Sequence, residues 1–455
     1  MKYSRAARFP NILLKEVLWE VLMKRDFKCG DSVSVLGLGR SGMAAVEYFS
    51  KKGATVYAFD DAPRETLGDR CERLRALGVP LLSSSEEIRG DLVFRSPAIR
   101  PDSPRLCRAR LRGATVTGEA EYFARLCPAP VFAVTGSDGK TTTASYLAAL
   151  LESTGRRVYL GGNIGRSLLP FLDEITENDL CVLELSSFQL MDFEAPVFAG
   201  VVTNLSPNHL NWHKDMAEYA AAKARLLSLA SHRVIGKTAF EDVSGVRFSA
   251  SADADYTVRG GVLFGRGVPL CRESDVFLLG RHNVENLLAA AAASEAFVTP
   301  RAVRTVARHF SGAPHRLEPL GEKRGVCFYN SSIDTTPSRT EASLAALEGR
   351  CKKIFLLLGG RAKGLSLSPL LDAVRASGAR PYLFGEARET VADALDGAGI
   401  PYTVASSMET AARLAFADAE EGDAVLLSPA FTSFDAFADF EARGEAFRYV
   451  VKNIM

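Results

Sequence analysis

The segment Thr135-Gly136-Ser137-Asp138-Gly139-Lys140-Thr141-Thr142 carries residue types suited to phosphate chemistry. Glycines let successive backbone N–H groups turn inward around an anion, and a helix N-terminus behind them adds partial positive charge. Lys140 brings a point charge for the outer phosphates of a nucleoside triphosphate, and the Thr141 hydroxyl is a ligand for Mg2+. Val134 stands where the first glycine of the common pattern would be, so an ordinary strand–helix turn is the bland alternative. Glu184 ends the apolar run LCVLEL, at the strand edge where α/β sheets place ligands, and a carboxylate there suits a divalent cation. Strand-end glutamates also simply cap or pair. Ser186–Leu190 (SSFQL) follows with hydroxyls and an amide for a polar substrate. His209, in TNLSPNHLNWH, is a candidate for the same site, although a lone histidine is more often structural. His213 either faces a helix or joins it. Lys223 lies in EYAAAKARLL, where the ordinary reading is a solvated helix lysine; acid–base chemistry would require burial.

A second glycine turn, Gly37-Leu38-Gly39-Arg40-Ser41-Gly42, follows the strand-like SVSVL, and Asp60 ends the next strand, TVYAFD. This is the dinucleotide fingerprint, and alone it suggests an NAD-dependent oxidoreductase. The glycines serve a pyrophosphate rather than a nicotinamide, however. Together with the phosphate loop they favour two nucleotide sites, one for ATP and one for a nucleotide-carried substrate.

Three α/β blocks position these residues. The first runs from SVSVL to about Phe123 and ends at the proline-bearing linker LCPAP. The second opens with VFAVTG, continues through TTTASYLAALLES, Leu180–Leu185 and Phe198–Thr203, and closes with the helix NVENLLAAAAASEAF and a basic helix around Arg301–His309. The turn SGAPHRLEP leads into the third, whose strand-like runs KKIFLLLGG, PYLFGE, YTVASS and DAVLLSPA alternate with helical stretches, as in parallel βαβ units. A leading amphipathic helix is expected over Asn11 to Phe27.

A chain of 455 residues exceeds one hydrophobic core. Lys+Arg (55) balances Asp+Glu (54), which removes any general attraction to nucleic acid or anionic membrane, so an anionic substrate needs local cations. The eight cysteines form no C-x-x-C pair, as expected of reduced thiols in a cytoplasm, and no apolar stretch is long enough to span a bilayer.

In this order, TGSDGKTTT, GGNIG, LELSSFQL, NLSPNHLNWH, YAAAKARLL, GRHNVENLLAA, PHR, LLLGGRAKG and LSPAFTSFDAFADFEARG resemble the Mur ligase family, from about Ser32 to the C-terminus. SSFQL and the last segment are similar to its D-glutamate-adding branch. The resemblance implies an α/β fold of three domains: a Rossmann-like substrate domain over 1–127, a central P-loop ATPase-like domain over 128–313 and a C-terminal Rossmann-like domain over 314–455. It implies an ATP-dependent ligase joining the alanine carboxylate of UDP-N-acetylmuramoyl-L-alanine to D-glutamate through an acyl phosphate, in the cytoplasm and as a monomer. Gly136, Ser137, Asp138, Gly139, Lys140, Thr141 and Thr142 would bind ATP with His282, Asn283, Asn286 and Arg316. Thr141, Glu184, His209 and Lys223 would organise two Mg2+ ions, Lys223 as a carbamate, which turns a cation into an anionic oxygen ligand. Lys140, Glu184, His209, Lys223 and Arg316 would be the catalytic set. Arg40, Ser41, Asp60, Asn163 and Gln189 would meet the UDP-substrate, and Thr335, Lys363, Ser433 and Phe440 the D-glutamate. Two departures stand out: Ser331 replaces the family's nucleotide-contacting aspartate, with Asp334 as a substitute three residues on, and Ala98 follows Ser96-Pro97 in place of glycine. A sibling ligase, folylpolyglutamate synthetase and a non-catalytic nucleotide-binding regulator remain as alternatives.

Overall fold

The computed structural model describes residues 31–454 except 164, 279, 313 and 363. The leading helix expected over 11–27 and the candidate Lys363 lie outside the described residues. These residues form a mixed α/β structure with three sheets, and contacts divide them into two compact units. One comprises the described residues up to Lys140 with Thr154–Arg247, the other Thr141–Ser153 with the rest from Phe248.

In the first unit, strands β1 (Ser32–Leu36), β2 (Thr55–Phe59), β3 (Leu81–Leu82), β4 (Leu92–Arg95) and β5 (Thr115–Thr117) form a parallel sheet in the order β3-β2-β1-β4-β5. Val33 and Val35 are fully or nearly fully buried, as expected of a strand covered on both faces. The helix Arg40–Lys51 leaves β1 through the glycine turn. A Cβ on Gly42 would lie 1.9 Å from the Gly37 carbonyl oxygen, so only glycine lets the helix start so close to the strand.

A second parallel set, β6 (Val131–Thr135), β7 (Val158–Gly162), β8 (Leu180–Glu184), β9 (Val197–Val202) and β10 (Ala230–Gly236), runs in the order β10-β9-β6-β8-β7. β6 and β8 are buried at every position, which fits their uninterrupted apolar sequences. Both candidate chemical groups, the phosphate loop and Glu184, therefore leave carboxyl ends of adjacent central strands.

In the second unit, Phe248 and Ser249 of β11 (Val246–Ser249) pair with Tyr256 and Thr257 of β12 (Tyr256–Arg259), and β12, β13 (Val262–Gly265) and β14 (Val268–Arg272) form antiparallel hairpins. The phosphate-loop helix, Lys140–Glu152, packs here from Thr141 on: Thr143 Oγ1 donates to Asn286 Oδ1 at 3.1 Å, in the helix Arg281–Ala293. That helix is buried nearly all round, which its alanine run permits. The last sheet holds β15 (Glu318–Lys323), β16 (Val326–Asn330), β17 (Ile354–Gly359), β18 (Arg380–Phe384), β19 (Thr403–Val404) and β20 (Ala424–Ala430), in the order β15-β16-β20-β17-β18-β19. Only β15 runs antiparallel to its neighbour.

Candidate active site

The phosphate loop is built around Gly136, whose φ of 150° and contact with Thr203 exclude a side chain: a Cβ would sit 1.7 Å from Thr203 Oγ1. The loop is pinned from below. Ser137 Oγ donates to the Ser206 carbonyl at 2.9 Å, the Asp138 N–H donates to Asn204 Oδ1 at 2.9 Å, and Thr203 Oγ1 donates to the Asp138 carbonyl at 2.6 Å. Lys140 folds back over the loop, its Nζ donating to the carbonyls of Gly136 at 3.0 Å and Ser137 at 2.8 Å. Its ammonium thus lies against the backbone of the loop.

Lys223 overturns the solvated reading. It is 1% exposed, on the inner face of the helix Met216–Leu229, and its Nζ donates to the Gly136 carbonyl at 2.8 Å. Burial, with Lys140 nearby adding repulsion, pushes its ammonium down to about 7. A lysine with a substantial neutral fraction near neutral pH is a nucleophile. The alanine-rich helix has no polar face to mark which side is inward, so only the resemblance carried by YAAAKARLL singled Lys223 out.

Glu184 is 2% exposed at the end of β8, and Asn163 Nδ2 donates to its Oε1 at 2.8 Å. His209 sits at φ 55°, its ring edge-on to Phe188 at 5.0 Å. Desolvation first, then Lys140 and Lys223, hold it below the usual histidine range, so it is a neutral imidazole near pH 7. Among the described residues no three His, Cys, Asp or Glu side chains form a ready-made cation cage. Of these groups the Glu184 carboxylate suits a hard cation that takes most of its oxygens from substrate phosphates.

His213, which sequence left undecided, is buried and bonded on both nitrogens: Nε2 to Ser187 Oγ at 2.9 Å and Nδ1 to Glu218 Oε2 at 3.3 Å. Glu218 in turn receives Arg100 Nη2 at 2.7 Å, and Arg100 Nη1 donates to the Trp212 carbonyl. This chain ties the turn bearing His209 and the helix bearing Lys223 to the SSFQL turn. Arg100 falls in no motif, and Glu218, although it opens EYAAAKARLL, carries no mark of its partners there.

The expected substrate residues come partly together. Ser41 and Gln189 line one cleft with Arg95, Pro97 and Glu119, and Arg40 donates to the Gly165 carbonyl in GGNIG. Gln189 Oε1 is occupied by the Ser186 N–H at 2.8 Å, as part of a capping box. Asp60 closes its own glycine turn, accepting from Leu38 N at 2.7 Å and Ala62 N at 2.9 Å. Glu119, which sequence reasoning missed, is buried, accepts from Ser167 Oγ at 2.6 Å and is held above the usual carboxylate range by that burial.

In the second unit, Asn286 Nδ2 donates to Asn283 Oδ1 at 3.1 Å, while His282 and Arg316 are exposed. Asp334 is buried among hydroxyls, accepting from Ser343 Oγ at 2.6 Å and Ser428 Oγ at 2.8 Å, and burial raises its carboxyl. Ser331, at the family's aspartate position, is 1% exposed and receives the Leu317 N–H. Ser433 is buried; Thr335 and Phe440 are half-buried, and Phe440 begins the helix Phe440–Asn453. Arg443 on that helix is fully buried, with its guanidinium donating to Ser332 Oγ at 3.0 Å and to the carbonyls of Ser332 at 2.9 Å and Phe431 at 3.1 Å. It thereby locks the loops that follow β16 and β20 together.

The Mur ligase middle domain model matches residues 134–294, and the Mur ligase glutamate ligase domain model matches residues 315–431. The chain is 38% identical over 461 residues to the UDP-N-acetylmuramoylalanine–D-glutamate ligase of Clostridium perfringens, covering 95% of this chain and 100% of that one. It is 35% identical to the enzyme of the same name from Ruminiclostridium cellulolyticum, over 95% of this chain and 98% of the relative. Its fold resembles that of a UDP-N-acetylmuramate–alanine ligase from Thermotoga maritima, with a TM-score of 0.58 and 19% identity over 93% of this chain and 100% of that one.

Proposed function

This chain belongs to the Mur ligase family, and from that premise we propose how its residues perform the ligation. It is an ATP-dependent ligase that adds D-glutamate to UDP-N-acetylmuramoyl-L-alanine in peptidoglycan synthesis. The observation that carries the residue-level reading is the pairing of Lys140 and Lys223 on one carbonyl, that of Gly136, at 3.0 and 2.8 Å.

Lys140 and the loop N–H groups hold the β- and γ-phosphates and offset charge that spreads over the transferring phosphoryl oxygens. The alanine carboxylate attacks the γ-phosphorus, giving an acyl phosphate and ADP. The D-glutamate amine then attacks the acyl carbon, and the tetrahedral intermediate expels phosphate to leave the amide. Lys223, neutral in part, adds to CO2 through Nζ and loses a proton, and the resulting carbamate presents oxygens beside the loop. Thr141, Glu184, His209 and the carbamate are the groups that would hold Mg2+, which when bound neutralises phosphate charge. His282, Asn283, Asn286 and Arg316 are assigned to the nucleotide, and Arg40, Ser41, Asp60, Asn163 and Gln189 to the UDP-substrate. Thr335, Lys363, Ser433 and Phe440 are assigned to D-glutamate, with Asp334 standing in for the absent aspartate. The domains are taken as 1–127, 128–313 and 314–455.

Oxygen-18 in the alanine carboxylate tests the acyl phosphate. One labelled oxygen per turnover should appear in the released phosphate; unlabelled phosphate would overturn this route.

A further inference from the structure

Two cysteines that the ligase chemistry does not use lie against each other. Cys127 caps the helix Glu119–Leu126, and Cys181 is the second residue of β8, and their sulfurs are 3.5 Å apart. Both side chains belong to one apolar cluster, and the Cys181 N–H is fixed by the Pro130 carbonyl at 3.1 Å. The geometry points to a modification site: we propose that Cys127 and Cys181 form a reversible intrachain disulfide when the enzyme meets a hydroperoxide.

The two thiols differ as an entry and a resolving group should. Cys181 is fully buried, while Cys127 is half-buried, so a small neutral peroxide reaches Cys127 first. The contact between the two sulfurs holds the Cys127 thiol below its ordinary value, whereas the same contact and burial push Cys181 up. The Cys127 thiolate attacks one peroxide oxygen and breaks the O–O bond, leaving a sulfenic acid and an alkoxide that takes a proton to become an alcohol (water, for hydrogen peroxide). Cys181 then attacks the sulfenyl sulfur, forming the S–S bond and releasing water; both thiol protons end in those products. The sulfurs need to close by roughly 1.5 Å to reach bonding distance. Cys127 precedes the Pro128-Ala129-Pro130 segment, which lies outside helix and strand and can supply that movement. The bond would tie the segment entering β6, and so the phosphate loop, to the strand that ends in Glu184.

The test uses the whole folded enzyme, treated with hydrogen peroxide, blocked with N-ethylmaleimide and digested without reductant. The expected product is a peptide pair joined through Cys127 and Cys181, lighter by two hydrogen atoms and separated by dithiothreitol. In Cys181→Ser the Cys127 sulfenic acid should persist and be trapped by dimedone, and in Cys127→Ser residue 181 should stay reduced. Exposed Cys107 reports that the oxidant acted. Oxidation of Cys107 with no joined pair, or a pair that forms only in denaturant, would overturn the proposal.

Discussion

The buried amine of Lys223 makes a quantitative demand on its reaction with CO2. Its ammonium is pushed from 10.5 down to about 7, chiefly by burial. At pH 8 the neutral fraction is then about 0.9, against about 0.003 for an unperturbed lysine, an advantage of roughly 300-fold in the only form that attacks CO2. Enzyme equilibrated with carbon-13 bicarbonate at pH 8 should show a carbamate carbon resonance that is lost in Lys223→Met, while the α-amino signal remains. Followed down in pH, the resonance should fade with an amine midpoint near 7. A midpoint above 9, or a resonance that survives in Lys223→Met, would refute the reasoning. The sign of the linked stability is also fixed. The folded pKa lies below the unfolded one, so the unfolded chain binds more protons between pH 7 and 10.5, and stability in CO2-free buffer rises with pH across that window. The penalty is fully present below pH 7. Lys223→Met should lose this slope.

Three further outcomes follow from the packing. Gly136→Ala places a methyl 1.7 Å from Thr203 Oγ1, so nucleotide binding measured by calorimetry should weaken by about 100-fold or more; ordinary affinity would contradict the loop geometry. Arg443→Lys keeps the charge but cannot reach the three acceptors on Ser332 and Phe431. It should cost about 3 kcal/mol of stability and raise KM for D-glutamate more than KM for ATP, and equal effects on both would argue against local positioning. Asp334→Ala should raise KM for ATP several-fold if this residue replaces the family aspartate. The serine hydroxyls around it make loss of stability with unchanged KM the contrary result.

What the sequence made legible was whatever depends on local pattern. Uninterrupted apolar runs foretold β6, β8, β17 and β20, and the glycine–lysine spacing placed the phosphate loop at the β6 carboxyl end. Element edges shifted by a residue or so: the loop helix begins at Lys140 rather than Thr141, and β9 spans Val197–Val202. What stayed hidden depends on pairs distant along the chain. Lys223 meets Gly136 across 87 positions, and Arg443 meets Ser332 across 111. Gly136 is marked by its place in the phosphate loop, but nothing in sequence pairs it with Lys223 or Ser332 with Arg443, because carbonyls and serine hydroxyls are everywhere. Asp60 was legible as a strand-end carboxylate, but its bonds to Leu38 and Ala62 give it a structural duty that the fingerprint alone does not separate from ligand binding.

The most direct measurement is phosphate release from ATP and Mg2+ with UDP-N-acetylmuramoyl-L-alanine, offering D-glutamate, L-glutamate, L-alanine and diaminopimelate separately. Release with D-glutamate alone is the predicted result. Release with another of these amino acids instead, or with none, would contradict the account.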